Sequence, residues 1–323
     1  MNKKNQNTSF YGQEEIRSAA DEVDILPLIE AGFVAYSEGR SVVPPVGELV
    51  FEDPPGDVHI KYGYIKGDDV YVIKIASGFP ENRKHGLPTG DGLMLVFDSR
   101  TGRPVSILQD GGYLTDLRTA AAGAAAARCL APGTVTAIGV FGAGVQGRMQ
   151  VEALSPLFKC RDVIVWGIDD EELSAYQQDM ERKGFRIRTT RSAEDVCRVC
   201  NLIITATPSR DPLLFLHSIR PGTHITAVGS DTADKQELDP EIVAAADIVV
   251  VDSLPQSRKR GEVFRAQQAG LLDGKEIFEL GRVISDPTLR RRNDRQLTLA
   301  DLTGVAVQDI QIAKAVTEVL GRR

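Results

Sequence analysis

The run Gly142-Ala143-Gly144-Val145-Gln146-Gly147 closes the apolar stretch TAIGVF and opens a helical one, and no other feature limits the fold of this chain so sharply. A GxGxxG turn between strand and helix uses Gly142 for a tight turn, Gly144 to let a pyrophosphate approach the backbone, and Gly147 to pack the helix on the strand. The free N–H groups at the start of such a helix then meet the phosphate charge. The surrounding text fits. After Gly133 the strand-like runs TAIGVFGA, RDVIVWGI, FRIRTT, CNLIITAT, THITAVGS and DIVVVDS alternate with amphipathic stretches such as GRMQVEALSPLF and DEELSAYQQDMERKG. Apolar strands between helices imply a parallel sheet covered on both faces, so this half reads as α/β, a Rossmann-type doubly wound sheet.

A length of 323 residues allows two domains at about 150 residues each. In the first part, Ile25, Leu28, Ile29, Phe33 and Tyr36 recur at helical spacing, and Pro44-Pro45 stops any continuation. Short β-branched and aromatic runs follow (ELVFED, VHIKYGYI, DVYVIKIASG, LMLVFD, PVSILQD), cut by turn signals, which implies an antiparallel sheet. At Thr115-Asp116, an N-cap and a first-turn acid, the run LRTAAAGAAAARCLA begins and continues to Pro132-Gly133. This alanine helix, with little side-chain bulk, reads as the joint between domains. In the tail, Leu302, Val305, Ala306, Ile310 and Ala313 are spaced for a last long helix. The expected division is 1–115 with 300–323 as an α+β domain, and 116–299 as the dinucleotide-binding domain, with 116–132 connecting them.

Composition narrows the partners. The net charge is -7 and the pI is near 5.3, so no uniform basic face is expected and nucleic acid is a poor partner. No stretch of 18 or so apolar residues occurs and the start is polar, so the expectation is a cytoplasmic chain with no membrane contact. Cys197-x-x-Cys200 can be read as a redox pair or half a zinc site, but no second CxxC or His pair completes a metal shell, so no metal is expected. The plainer reading is two small residues ending an amphipathic helix.

Several side chains could carry chemistry. The strand DVIVWGI ends near Asp169-Asp170, where a carboxylate meets adenosine ribose hydroxyls and repels a 2′-phosphate, which favours NAD; both acids can equally be helix caps. Lys74 lies inside the apolar strand VYVIKIASG, either reaching out from an edge or buried for a purpose. Arg118, in the first turn of the alanine helix, opposes the helix dipole, so a carboxylate ligand is its natural partner. Asp231 follows the strand THITAVGS at its carboxyl end, where open α/β sheets place ligands, although it too can be a cap. His59 and Lys61, alternate residues on one strand face, could join a substrate site.

These residues carry a resemblance. KIASGFPEN at 74–82, LTDLRTAAAGAAAA at 114–127, FGAGVQG at 141–147, AVGSDTADKQELD at 227–239 and the closing LTGVAVQDIQIAKAV together resemble the ornithine cyclodeaminase and mu-crystallin family of NAD(P)-dependent proteins, from about Val23 to Ala315. The resemblance implies a Rossmann domain inserted between two parts of a substrate domain, and homodimers formed through the substrate domains. It implies that Lys74 contacts the substrate near its carboxylate and reacting nitrogen and that Arg118 binds the carboxylate. The cofactor would be held by Thr119, Gly142, Ala143, Gly144, Val145, Gln146, Asp169 and Thr207. Asp231 would be the acid or base. One departure stands out: where many relatives carry a second carboxylate-binding arginine, this chain reads Val46-Gly47-Glu48, so either His59 or Lys61 substitutes or the substrate differs.

The implied chemistry is hydride transfer from the Cα of a small amino acid to NAD, with Asp231 taking a proton from the amine. With ornithine, the side-chain amine then attacks the imine, ammonia leaves and the returned hydride gives proline. An amino-acid dehydrogenase or an imine or ketimine reductase is the alternative within the same chemistry. A non-catalytic protein that binds NAD(P)H or a small ligand, as mu-crystallin does, is the alternative of another class.

Overall fold

The computed structural model describes residues 8–323, so the polar start at 1–7 lies outside the described residues. The chain divides into two compact units: one runs to Arg118 and resumes at Val305, and the other spans Thr119–Gly304. The α/β class and the parallel, helix-covered sheet expected of the second half are present.

The first unit opens with β1 (Ser9–Tyr11), α1 (Gln13–Ala20) and α2 (Ile25–Ser37). Six strands follow: β2 (Ser41–Val42), β3 (Gly47–Glu52), β4 (Pro55–Ile65), β5 (Val70–Gly78), β6 (Gly90–Asp98) and β7 (Pro104–Leu108). Strands β2 to β7 pair antiparallel, as their turn-punctuated alternation predicts. β1 adds itself in parallel to the β7 edge, a pairing with no local turn signal to announce it. The period-2 pattern buries Lys61, Gly63 and Ile65 of β4, Val72 and Lys74 of β5, and Met94 and Val96 of β6 on one face.

Helix α3 (Tyr113–Leu130) begins before the expected Thr115 cap. The buried carboxylate of Asp110 accepts the Leu114 N–H at 2.7 Å, so the helix starts at Tyr113 and Arg118 falls in the second turn, not the first. Beyond the unit boundary, the small side chains of α3 do what their size suggests. At Gly123 an added Cβ would lie 1.9 Å from Oε1 of Gln150, whose Nε2 donates to the Thr119 carbonyl at 3.0 Å.

The second unit alternates strand and helix as far as β11: β8 (Ile138–Phe141), α4 (Val145–Leu154), β9 (Asp162–Trp166), α5 (Asp170–Arg182), β10 (Arg186–Thr190), α6 (Ala193–Val199) and β11 (Leu202–Thr205), after which β12 (His224–Ala227) follows without an intervening α-helix. Then come α7 (Pro240–Ala245), β13 (Ile248–Val251), α8 (Leu254–Ser257), α9 (Glu262–Gln268), β14 (Ile277–Glu279), α10 (Leu280–Ser285) and β15 (Thr298–Asp301). The sheet order is β10-β9-β8-β11-β12-β15-β13-β14, with every pairing parallel. The chain winds outward from β8 to β10 and returns to the other side of β8 at β11. That reversal makes the carboxyl ends of β8 and β11 a switch point, the place at which such sheets bind ligands.

The tail differs from expectation in one respect. Thr298–Asp301 is strand β15, wedged between β12 and β13, and the final helix α11 starts only at Ala306, running to Leu320. In the first unit, α11 packs Ile310, Ile312, Ala313 and Val316 into a core with Ile16, Met94 and Leu108. In the second, Ile203, Ile225, Val249, Val251 and Leu299 form the sheet's core. The CxxC pair belongs to that core. Cys197 and Cys200 are buried, burial pushes their thiols up to about 11 and about 12, and an added Cβ at Gly139 would sit 3.3 Å from the Cys200 sulfur. Such thiols are packing groups. Among the described residues no cluster of His, Cys, Asp and Glu could hold a metal, and no helix is long and apolar enough to cross a membrane.

An added Cβ at Gly147 would lie 2.1 Å from the Gly142 carbonyl oxygen, which is backbone and cannot swing aside. Gly147→Ala should therefore destabilise the second unit by about 1–3 kcal/mol despite alanine's better helix propensity, lowering the thermal midpoint by several degrees. A midpoint equal to or above the parent's would show that helix and strand are not in this contact.

Candidate functional site

Cationic side chains converge inside the first unit. Lys61 and Lys74 are directly opposite each other in the β4–β5 ladder, which puts them on one face of the sheet. Lys74 is 2% exposed, Arg118 4% and Lys61 7%. On α11 the buried Asp309 accepts at a single oxygen, Oδ1, both Lys74 Nζ (3.1 Å) and Arg118 Nε (2.9 Å). Arg118 Nη1 also donates to Gln308 Oε1 at 3.0 Å. Two polar atoms of this cluster, Asp309 Oδ2 and Gln308 Nε2, are buried without a hydrogen-bond partner.

Electrostatics follow from that packing. Burial, reinforced by Arg118 and only partly offset by Asp309, brings the Lys74 ammonium down to about 7. Burial alone would push the Asp309 carboxyl up, but Arg118, Lys74 and Lys61 together hold it below the usual range. A carboxylate surrounded by cations in a dry place stays ionised, and a lysine that titrates near neutrality can hold or release a proton. His59 lies elsewhere on the same strand face: Nε2 is 3.5 Å from Asp57 Oδ1 and 3.7 Å from Glu48 Oε1, so acids flank it. Lys61, not His59, is the β4 residue set against Lys74.

In the second unit the glycine turn can be checked residue by residue. Gly142 has φ 106°, and an added Cβ there would lie 2.6 Å from the Ala206 carbonyl oxygen, which abuts the turn. A Cβ added at Gly144 would meet nothing within 4 Å, so this side of the turn is open to a ligand, while its carbonyl accepts Arg148 Nη1 at 3.1 Å. Ala143 is buried, Val145 is exposed, and α4 starts at Val145 with Gly144 as its cap. Gln146 Oε1 accepts from Gln150 Nε2 at 3.4 Å, the same group that holds the Thr119 carbonyl. With an open glycine and a ten-residue helix starting behind it, this turn fits a pyrophosphate.

Asp169 caps α5: its Oδ1 accepts the N–H groups of Glu171 (2.8 Å) and Glu172 (2.9 Å). The capping alternative is therefore realised, and recognition of a ribose would fall to the other oxygen. Thr207 donates both its N–H (2.6 Å) and its hydroxyl (2.8 Å) to Glu237 Oε1, and that hydroxyl accepts the Ser209 N–H at 3.3 Å. Asp231 lies in the loop after β12, half-buried, its Oδ1 accepting Lys235 Nζ at 2.6 Å and its carbonyl accepting Arg260 Nη1 at 3.1 Å.

The structure thus gathers Lys61, Lys74 and Arg118 in one unit, and the Gly142–Gly147 turn and Thr207 at one edge in the other. Three residues escaped the sequence reading: Asp309, Gln308 and Glu237. Asp309 had a signal, since a carboxylate sits beside Ile310 on the buried stripe of an amphipathic helix. For Glu237, in a polar stretch, composition offered none.

The sequence profile described as the ornithine cyclodeaminase/mu-crystallin family matches residues 6–322. An uncharacterized cyclodeaminase of Sinorhizobium fredii is 38% identical over 295 residues, covering 90% of this chain and 89% of that one. An archaeal alanine dehydrogenase dimer solved with bound NAD superposes with a TM-score of 0.88 at 33% identity, covering 97% of this chain and 95% of that one. The Thermococcus litoralis delta(1)-pyrroline-2-carboxylate reductase, solved with NADH and L-proline, gives a TM-score of 0.91 at 28% identity over 98% of both chains.

The lowered Lys74 value carries a sign. Between pH 7 and the ordinary lysine value of 10.5 the unfolded chain binds the proton that the folded chain has released, so the folded state gains stability as pH rises through that window. Lys74→Met removes this dependence. Its unfolding free energy relative to the parent, from urea titrations, should be most favourable at pH 6 and should shrink by pH 9. A difference independent of pH would mean that Lys74 is not buried as described.

Proposed function

The chain belongs to the ornithine cyclodeaminase/mu-crystallin family, and from that membership we propose that it is an NAD-dependent enzyme acting at the C–N bond of a small amino or imino acid. The observation that carries this reading is the convergence of buried Lys74 and Arg118 on Asp309 Oδ1, with Lys61 beside them. Such a set of cations is built to receive a carboxylate, and Lys61 takes the place of the arginine missing at Val46-Gly47-Glu48.

The residues divide the work. Arg118, Lys61 and Lys74 hold the substrate carboxylate and so fix the position of Cα. Lys74 can also hold or release a proton near neutral pH, because burial has brought its ammonium to about 7. Asp231 takes a proton from the substrate amine. Gly142, Ala143, Gly144, Val145 and Gln146 cradle the dinucleotide phosphates at the start of α4, Thr119 and Thr207 flank them, and Asp169 meets the ribose. When bound, NAD supplies the hydride acceptor or, reduced, the donor.

Two outcomes share this first step. Released as an imine or oxo acid, the product makes the protein an amino-acid dehydrogenase or, in reverse, an imine reductase; the NAD-bound alanine dehydrogenase and the NADH-bound pyrroline-carboxylate reductase named above support it. Attacked by a second amine of the same substrate, the imine yields a ring and ammonia; the 38% identical cyclodeaminase and the family description support that outcome.

A homodimer is part of the same proposal. Strand β3 carries Leu49, Val50 and Phe51 at 53%, 75% and 43% exposure, an apolar strip that a second copy would cover. The alanine dehydrogenase neighbour is described as a dimer. Val50→Asp should convert the protein to monomer in sedimentation, and an unchanged dimer would place the interface elsewhere.

To test the activity, protein and NAD are incubated with a panel of amino acids while ammonia and reduced-nicotinamide absorbance are followed. Ammonia with NADH marks a dehydrogenase, ammonia without net NADH a cyclodeaminase, and silence in both, repeated with cyclic imines and NADH, a binding protein. Asp231→Asn should keep NADH binding while slowing turnover by about 10²–10⁴-fold, the usual worth of a general acid or base. Full activity in that variant removes Asp231 from the mechanism.

A further inference from the structure

We propose that Glu237 is a positioning residue of the dinucleotide site, clamping together the ends of β11 and β12 so that the Ala206-Thr207 backbone is held against the glycine turn. The inference rests on the nucleotide reading above and adds a residue to it.

Glu237 is fully buried, and each of its oxygens takes two donors. Oε1 accepts the Thr207 N–H (2.6 Å) and hydroxyl (2.8 Å), and Oε2 accepts the Thr205 hydroxyl (2.7 Å) and the Gly229 N–H (3.0 Å). Thr205 ends β11, Thr207 is two residues on, and Gly229 follows β12, so one carboxylate joins the carboxyl ends of two neighbouring parallel strands. The backbones press close around it: an added Cβ at Gly229 would be 2.6 Å from Glu237 Oε2 and 2.3 Å from the Thr207 carbonyl oxygen.

The clamp reaches the glycine turn through Ala206. Its N–H donates to the Phe141 carbonyl at 2.9 Å, and its own carbonyl oxygen is the atom an added Cβ at Gly142 would meet. Glu237 is itself held from behind: Glu262, in the first turn of α9, accepts the N–H groups of Glu237 (2.8 Å) and Leu238 (3.2 Å). Asp301, the last residue of β15, accepts the Val263 N–H at 2.9 Å. A row of buried carboxylates thus ties the loops beyond β11, β12 and β15 through backbone N–H and hydroxyl groups. Both oxygens of Glu237 have their full complement of donors, so its role is to place backbone.

The chain's single tryptophan, Trp166, lies opposite Phe141 in the β8–β9 ladder, so its quenching can follow NADH binding directly, without turnover. Glu237→Gln keeps the size but points an amide N–H at two donors. It should raise the NADH Kd about tenfold or more, as expected for losing charge-assisted bonds that hold the site. Thr207→Val combined with it should add little, because the two act as one unit. Should Glu237→Gln fail to fold, Thr205→Val, which removes one donor at a fully buried position, should still raise Kd by about threefold. A merely structural role would lower the thermal midpoint of these variants while leaving the Kd of the folded protein alone. Folded Glu237→Gln with Kd within about twofold of the parent, fully additive losses with Thr207→Val, or an unchanged Kd in Thr205→Val overturns the clamp. Parent protein that binds no NADH overturns the nucleotide reading beneath it instead.

Discussion

A lysine and an arginine share one carboxylate oxygen inside the first unit, and much of that unit is arranged around the arrangement's cost. Moving charged groups out of water is expensive, and the expense is met only where opposite charge and hydrogen bonds are waiting. Asp309 meets it from α11 for Lys74 on β5 and Arg118 on α3. The first and last parts of the chain are therefore joined at the point where a substrate's carboxylate would be received. The same cluster leaves Asp309 Oδ2 and Gln308 Nε2 without partners, an incompleteness that buried polar groups rarely show in a region devoted to packing alone.

The second unit solves a different problem at its carboxyl edge. A parallel sheet presents there a row of loops that no ladder hydrogen bond restrains. Here Glu237, Glu262 and Asp301 restrain them by accepting backbone N–H groups. Burial drives Glu237 and Asp301 up to about 7 and raises Glu262 well above its ordinary value. These acids are spent on architecture, whereas Asp231 in the loop after β12 is half-buried and pairs with Lys235.

Local pattern made much of this legible. The GxGxxG turn announced its own geometry because each glycine answers a separate steric demand, and all three demands are visible: positive φ at Gly142, open space at Gly144, backbone contact at Gly147. Lys74 and Arg118 stood out because a charge within an apolar strand or near a helix start conflicts with its neighbours. The start of α3 was misplaced because Thr115 and Asp116 resemble a cap, while the acid that serves, Asp110, lies in a preceding turn. β15 runs into the last helix in the sequence reading because four residues, TLAD, carry no period long enough to separate strand from helix.

By itself the sequence determined the succession of strands and helices, the glycine turn, and the odd charges that need partners, since these follow from spacing along the chain and from the steric limits of single residues. Only the tertiary structure decided which partners they find. Asp309 lies 191 positions from Arg118 and Glu237 lies 30 from Thr207, and no periodicity spans such gaps. Whether Lys61 or His59 stands against Lys74 was likewise settled by the register of β4 on β5, because a strand's own text gives both residues the same face and only its neighbour distinguishes them.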